Sequence, residues 1–116
     1  MATIHWPSPK RGSTRPYGYQ EELTQTGAGS TYIGVPSDVN QIGLTVLCSS
    51  GSYFLEGSMS PPETIEDDSG VWADLIGDGS VAQTASRQIT VDGAFSCVRV
   101  RCVSGAQTLT TEMRRC

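Results

Sequence analysis

The sequence predicts an all-β protein: an antiparallel β-sandwich of jelly-roll-like type with an extended N-terminal arm. Three observations predict it. Apolar and polar residues alternate in short runs. Turn residues separate those runs, with 13 Gly and 6 Pro among 116 residues. No stretch keeps apolar residues at helical spacing over three turns.

The first 38 residues read differently from the rest. Pro7, Pro9, Pro16 and Pro36 break helices and push the residues before them towards extended conformations. Thr24 to Thr31 reads as a flexible, polar connector. A segment this poor in apolar residues holds a shape only on a surface, and 20 extended residues reach about 65 Å. Residues 1–38 are therefore expected to form an arm that lies on a neighbouring chain rather than on its own sandwich. Trp6, Tyr17, Tyr19, Tyr32 and Ile33 are its expected anchors, with Lys10, Arg11 and Arg15 meeting acidic surfaces.

Residues 39–116 form the expected sandwich. Ile42, Leu44, Val46 and Cys48 alternate with Gly43, Thr45 and Leu47, which predicts a strand with the first set inward. Ser50-Gly51-Ser52 reads as a turn. Tyr53, Leu55, Gly57 and Met59 then predict a second strand and a hairpin. Pro61 and Pro62 stop it, and residues 61–70 read as an acidic loop. Val71 to Ile76 is a short strand whose Trp72 is expected to plug the core. Gly77 to Ser80 turns the chain. Arg87 to Val91 is a strand, followed by the turn dipeptide Asp92-Gly93. Phe95 to Val103 places Val98, Val100 and Cys102 on one face and Cys97, Arg99 and Arg101 on the other. Ser104-Gly105-Ala106 turns, and the last strand sets Leu109, Thr111 and Met113 inward. A domain this small is marginal alone, so assembly with other subunits would stabilise it.

The net charge of −4 argues against a general nucleic-acid binder, which needs a basic footprint. Nothing resembles a membrane span or a secretory leader, so the chain is read as folding in a cytosol. The charge is uneven. The arm is basic, and Glu56 to Asp78 is acidic without a base.

The four cysteines lack metal-ligand spacing, and there is one His. Cys97 and Cys102 fall on opposite faces of one strand and do not bridge. Cys48 and Cys102 share the inward sets, either approaching each other or serving as small buried hydrophobes. Cys97 and Cys116 read as accessible, and are the candidates for an intersubunit disulfide.

Catalytic chemistry finds no foothold. His5 lies in the arm, away from any expected pocket, and no nucleophile elbow or zinc-protease motif occurs. Gly77-Asp78-Gly79-Ser80-Val81-Ala82 has dinucleotide-loop spacing but opens no helix, so it reads as a turn. Glu66-Asp67-Asp68-Ser69-Gly70 is half a calcium loop without the alternating ligands, and the default is a solvated acidic segment. No catalytic residue, cofactor or metal is assigned. Trp72 and Trp6 with Tyr53 and Phe54 offer one alternative, a sugar-stacking platform. Arg99 and Arg101 are expected to pair with acids on a neighbouring strand or subunit.

Three runs carry a resemblance: Tyr53-Phe54-Leu55-Glu56-Gly57-Ser58, Trp72-Ala73-Asp74-Leu75, and Phe95 to Gly105 with its Val-Arg-Val-Arg core. With Gln107-Thr108-Leu109-Thr110-Thr111, they resemble small structural proteins of tailed-bacteriophage virions across residues 42–113. The resemblance implies a β-sandwich that decorates or cements a capsid, often as a trimer, with the major capsid protein or another virion protein as partner. Tail, neck, baseplate and fibre components are the alternatives within that group. A carbohydrate-binding β-sandwich module is the alternative outside it.

Overall fold

The computed structural model describes residues 3–9, 18–76 and 81–114. It is built on one long strand. β8 (Cys97–Arg114) is central, flanked along its whole length by β5 (Gln41–Ser58) on one side. On its other side run β3 (Gly18–Thr26) and then β4 (Gly29–Gly34), end to end. All of these pairings are antiparallel.

The three tracks bend together. Gly27, Gly51 and Gly105 have φ of 77°, 76° and 77°, a conformation that disfavours any side chain. Gly51 lies opposite Gly105 in the ladder, and the Gly27 N–H donates to the Gly105 carbonyl at 2.8 Å. A Cβ on Gly51 would overlap the Ser104 carbonyl, and one on Gly105 would overlap the Ser50 carbonyl. The register also shifts between Cys48 and Ser50 and between Ser52 and Tyr53, the mark of bulges that kink a strand.

This shared kink divides the continuous sheet into two layers. One layer holds β2 (Ser8–Pro9), β3, the second half of β8, the first half of β5, and β7 (Arg87–Asp92). The other holds β1 (Ile4–His5), β4, the first half of β8, the second half of β5, and β6 (Ala73–Asp74). Ile42, Leu44, Val46, Leu109 and Met113 from the first layer meet Ile33, Tyr53, Leu55, Val98 and Val100 from the second in one core. The all-β sandwich is thus as expected, and so is the inward parity of these strands.

Two expected turns are kinks. Ser50-Gly51-Ser52 and Ser104-Gly105-Ala106 do not reverse the chain, because the strand partner continues past them on the other side. The residues after Gly51 pair with residues from Cys97 to Ser104, not with the residues before Gly51.

The arm is also corrected. Among its described residues, Gly18–Gly34 supplies two strands of the sandwich, so residue 38 does not separate an arm from a domain. Its signal was faint because β3 borders the sheet: its half-buried set is Tyr19, Glu21, Leu23 and Gln25, which is half polar. Backbone pairing to β8 holds such a strand whatever its side chains. The acidic loop, in turn, contains one helical segment, α1 (Pro62–Glu66). It starts on a proline suited to a first turn and is fixed by buried Ile65. Among the described residues, no helix is long and apolar enough to cross a membrane.

The kink predicts unequal costs at its glycines. Gly27→Ala meets no atom within 4 Å and should lose about 1 kcal/mol for its φ alone. Gly105→Ala also strikes a neighbouring backbone and should cost about 3 kcal/mol or more. Urea unfolding of both variants checks the order; equal losses would remove the close contact as the reason.

Candidate functional site

The outer face of the β4–β8–β5 layer carries a built side-chain network. The ladder sets Tyr32, Arg99, Glu56 and Asp74 in one row across four strands. Arg101 and Phe54 form the neighbouring pair. Glu56 Oε1 accepts from Arg99 Nε at 2.8 Å and from Arg101 Nε at 3.1 Å. Arg99 also lies 4.0 Å from the Trp72 ring centre, and Arg101 lies 4.2 Å from that of Phe54. Tyr32 and Trp72 meet with ring centres 5.8 Å apart. Glu56 is only 8% exposed, so the network joins strands rather than offering free charge.

The expectation that Arg99 and Arg101 pair with an acid on a neighbouring strand is met by Glu56. The expectation for Trp72 is corrected. It is half-buried on the outside of the sheet against Arg99 and Tyr32, because residues 71–72 precede β6 and do not enter the sheet. The sugar platform built from Trp72, Trp6, Tyr53 and Phe54 does not assemble either, since Tyr53 is fully buried and donates its hydroxyl to the Ala85 carbonyl.

The apolar end of the sandwich is the second feature. Trp6 lies over Gly34, where a Cβ would collide with the indole, yet the side chain remains 50% exposed. A groove of about 730 Å³ runs from Trp6 past Val35, Pro36 and Pro62 to Phe95. On the other side of Phe95, a groove of about 330 Å³ is lined by Met59, Val71 and Trp72. Met59 and Val71 are 65% and 77% exposed. Phe95 is seated between them because Gly57 leaves room for its ring.

The remaining sequence candidates divide as follows. Lys10, Arg11, Arg15, Tyr17 and Cys116 lie outside the described residues. Three expected anchors are spent internally: Tyr19 packs on the core and its hydroxyl donates to Asp38 at 3.2 Å, Ile33 is buried in the core, and Tyr32 lies against Trp72. His5 is exposed on β1 and, contrary to expectation, lines a polar groove with Thr24, Ser30, Tyr32 and Asp68. Among the described residues, no group of three or more His, Cys, Asp or Glu side chains is placed to hold a metal ion.

Cys97 is corrected as a disulfide candidate. Its thiol is fully buried, in a row with Gly34 and Ser58, and Trp6 roofs that row at Gly34. Burial pushes the thiol pKa from 9.0 to about 12, against smaller opposing effects of Arg99 and a hydrogen bond from the Ile33 backbone. Cys48 and Cys102 are free thiols at equivalent points of the two kinks. Each donates to the carbonyl two residues on, Ser50 and Ser104, at 3.4 and 3.3 Å. Gln107, 1% exposed, donates to those same two carbonyls at 3.0 Å each and so ties the kinks together. Sequence reasoning missed Gln107; the repeated Cys-x-Ser-Gly at 48–51 and 102–105 was the available signal.

No protein-family model matches the chain, and no curated protein does. Solved structures do. The chain is similar to oxalate oxidase, at 10% identity and a TM-score of 0.50 over 84% of its length. It spans 42% of that oxidase chain, less than half. The likeness is one of fold alone. It places this chain among jelly-roll-like β-sandwiches, as the kinked double layer does. A periplasmic inhibitor of g-type lysozyme from Aeromonas hydrophila aligns at 14% identity over 97% of this chain and 96% of its own, with a TM-score of 0.48. A cupin domain from Bordetella pertussis Tohama I aligns at 15% identity over 98% and 97%, with a TM-score of 0.39. The interior of this chain holds aliphatic side chains, Tyr53 and Met113, with Gln107 and Thr111 also buried.

Two outcomes are expected. Glu56→Gln leaves two guanidinium groups without their carboxylate and should cost about 2 kcal/mol in urea unfolding. A double-mutant cycle with Arg99→Met should return a coupling near that value. For Cys97, the raised pKa means that the folded chain keeps a proton that the unfolded chain releases. That stabilisation is complete below pH 9.0 and is lost as pH rises towards about 12. Tyr53, raised by burial, acts with the same sign. Unfolding free energy should therefore fall as pH climbs through that window, and Cys97→Ala should flatten the fall.

Proposed function

We propose that the protein is a non-enzymatic structural module that docks through the apolar end of its sandwich. The observation that carries the reading is the exposure of Trp6, Met59 and Val71 on either side of Phe95. Exposed apolar side chains clustered around grooves mark contact surfaces. A half-exposed Trp beside prolines also has the chemistry of an interface anchor. The packed interior supports the same reading, since it leaves the outside as the place for recognition.

The setting proposed is a tailed-phage virion, where the chain decorates or cements the shell by binding the major capsid protein or another virion protein, as a homo-oligomer, a trimer by preference. The sequence resemblance across residues 42–113 supports this setting. The sandwich acts as a rigid plug, its kinks tied by Gln107 and its outer face by the Glu56 network. Basic residues at 10–15 add contacts to acidic surfaces. Tail, neck or baseplate placement uses the same docking end and differs in copy number.

The assembly role predicts that antibody against the chain labels tailed-phage particles produced with it. Particles lacking it should be relabelled when purified protein is added back. Trp6→Ala and Met59→Ser should each weaken that rebinding about tenfold or more while melting as the parent does. Rebinding at parental strength by the double variant would remove the apolar end as the docking surface.

A further inference from the structure

The outer face of the other layer has a gap at its centre. In the β8–β5–β7 ladder, Gly43 lies between Glu112 and Thr90. The row above it is Thr110, Thr45 and Gln88, and the row below is Arg114, Gln41 and Asp92. Gly43 is thus the middle of a three-by-three grid whose other eight positions carry polar or charged side chains. The missing side chain leaves a groove of about 280 Å³, with Gln41, Thr45, Gln88, Thr90 and Thr110 around it.

Nothing in the fold requires glycine there. Gly43 is absent from the positive-φ glycines. A Cβ would meet the Glu112 carbonyl at 3.5 Å, an ordinary contact. Glycine also weakens a strand interior and often marks a close approach by another molecule. The kink glycines are different, since their φ and close backbone contacts explain them fully.

The chemistry around the gap is specific in kind. The side chains of Gln41, Thr45, Gln88 and Thr90 make no hydrogen bond among the described residues. They offer neutral donors and acceptors together. Charge is carried by Glu112 beside Gly43 and by Arg114 and Asp92 in the row below, with Arg114 and Glu112 3.8 Å apart. Among the described residues, no aromatic side chain lines the groove. An apolar guest would gain little there, and the one base, Arg114, already has Glu112 beside it.

We propose that the Gly43 groove is a binding site for a neutral polyhydroxylated ligand, one sugar ring of a glycan. Its hydroxyls would exchange hydrogen bonds with the amides of Gln41 and Gln88 and the hydroxyls of Thr45 and Thr90. The ring edge would sit on the bare Gly43 backbone. This site is separate from the apolar docking end and does not depend on the assembly role. It is also separate from Trp6 and Trp72.

The test is an NMR titration of the isotope-labelled full chain with glucose, galactose and N-acetylglucosamine, and with short oligosaccharides of each. Saturable amide shifts centred on Gly43, Thr45, Thr90 and Thr110 are expected with at least one of them. Gly43→Val fills the groove with a residue suited to strands and should weaken that binding about tenfold or more at an unchanged melting temperature. Gln88→Ala, an exposed change on β7, should also weaken it and carries the test if Gly43→Val fails to fold. The proposal is overturned if no sugar gives saturable shifts. It is also overturned if the shifts centre on Trp6 or Trp72, or if both variants bind as the parent does.

Discussion

The architecture depends on the passage of three strand tracks through one kink. Gly27, Gly51 and Gly105 share a left-handed backbone conformation and sit side by side in the ladder. With any other residue at Gly51 or Gly105, a Cβ would overlap the facing carbonyl. The kink lets one continuous hydrogen-bonded sheet close on its own apolar face. Without it, strands of 18 residues would run on as a flat, exposed sheet, with no second layer to cover Ile42, Leu44 and Val46. Gln107 reinforces the kink by holding the Ser50 and Ser104 carbonyls with one amide.

The same event creates the molecule's distinct outer surfaces. Doubling the sheet turns one set of side chains into a dry core and leaves two outer faces of different character. The face with Arg99, Arg101 and Glu56 is crossed by ion pairs and by guanidinium–ring contacts within the chain. The face around Gly43 is open, and the side chains of Gln41, Thr45, Gln88 and Thr90 there make no hydrogen bond among the described residues. At one end, Trp6 and Met59 are exposed beside the connecting segments near residues 35–40, 59–62 and 93–96.

Among candidate site residues, those read from strand alternation fared best. Arg99 and Arg101 were legible as outward residues seeking an acid, because two-residue periodicity is local. Cys97 was misread as accessible from the same periodicity. It does face away from the sandwich core, but Trp6 roofs its row at Gly34, a contact between residues far apart in sequence. Trp72 failed for a related reason. Its apolar character pointed inward, whereas a guanidinium on the outer face gave it a partner. Tyr19 was read as an anchor for another molecule and is held by Asp38.

The sequence by itself determined the class of structure and the inward face of each long strand, because side-chain parity is a property of the backbone. Ile42, Leu44, Val46, Val98, Val100, Leu109 and Met113 are inward as their alternation requires. It did not determine whether a glycine reverses a strand or bends it. Ser50-Gly51-Ser52 and Ser104-Gly105-Ala106 have the composition of hairpin turns, and the choice depends on which strand waits beyond them. Here each glycine faces the other across the ladder, so both chains go on, and only the long-range pairing of β5 with β8 decides it. The placement of Gly43 at the centre of a polar ring has the same origin, since three strands from distant parts of the chain must come into register to form it.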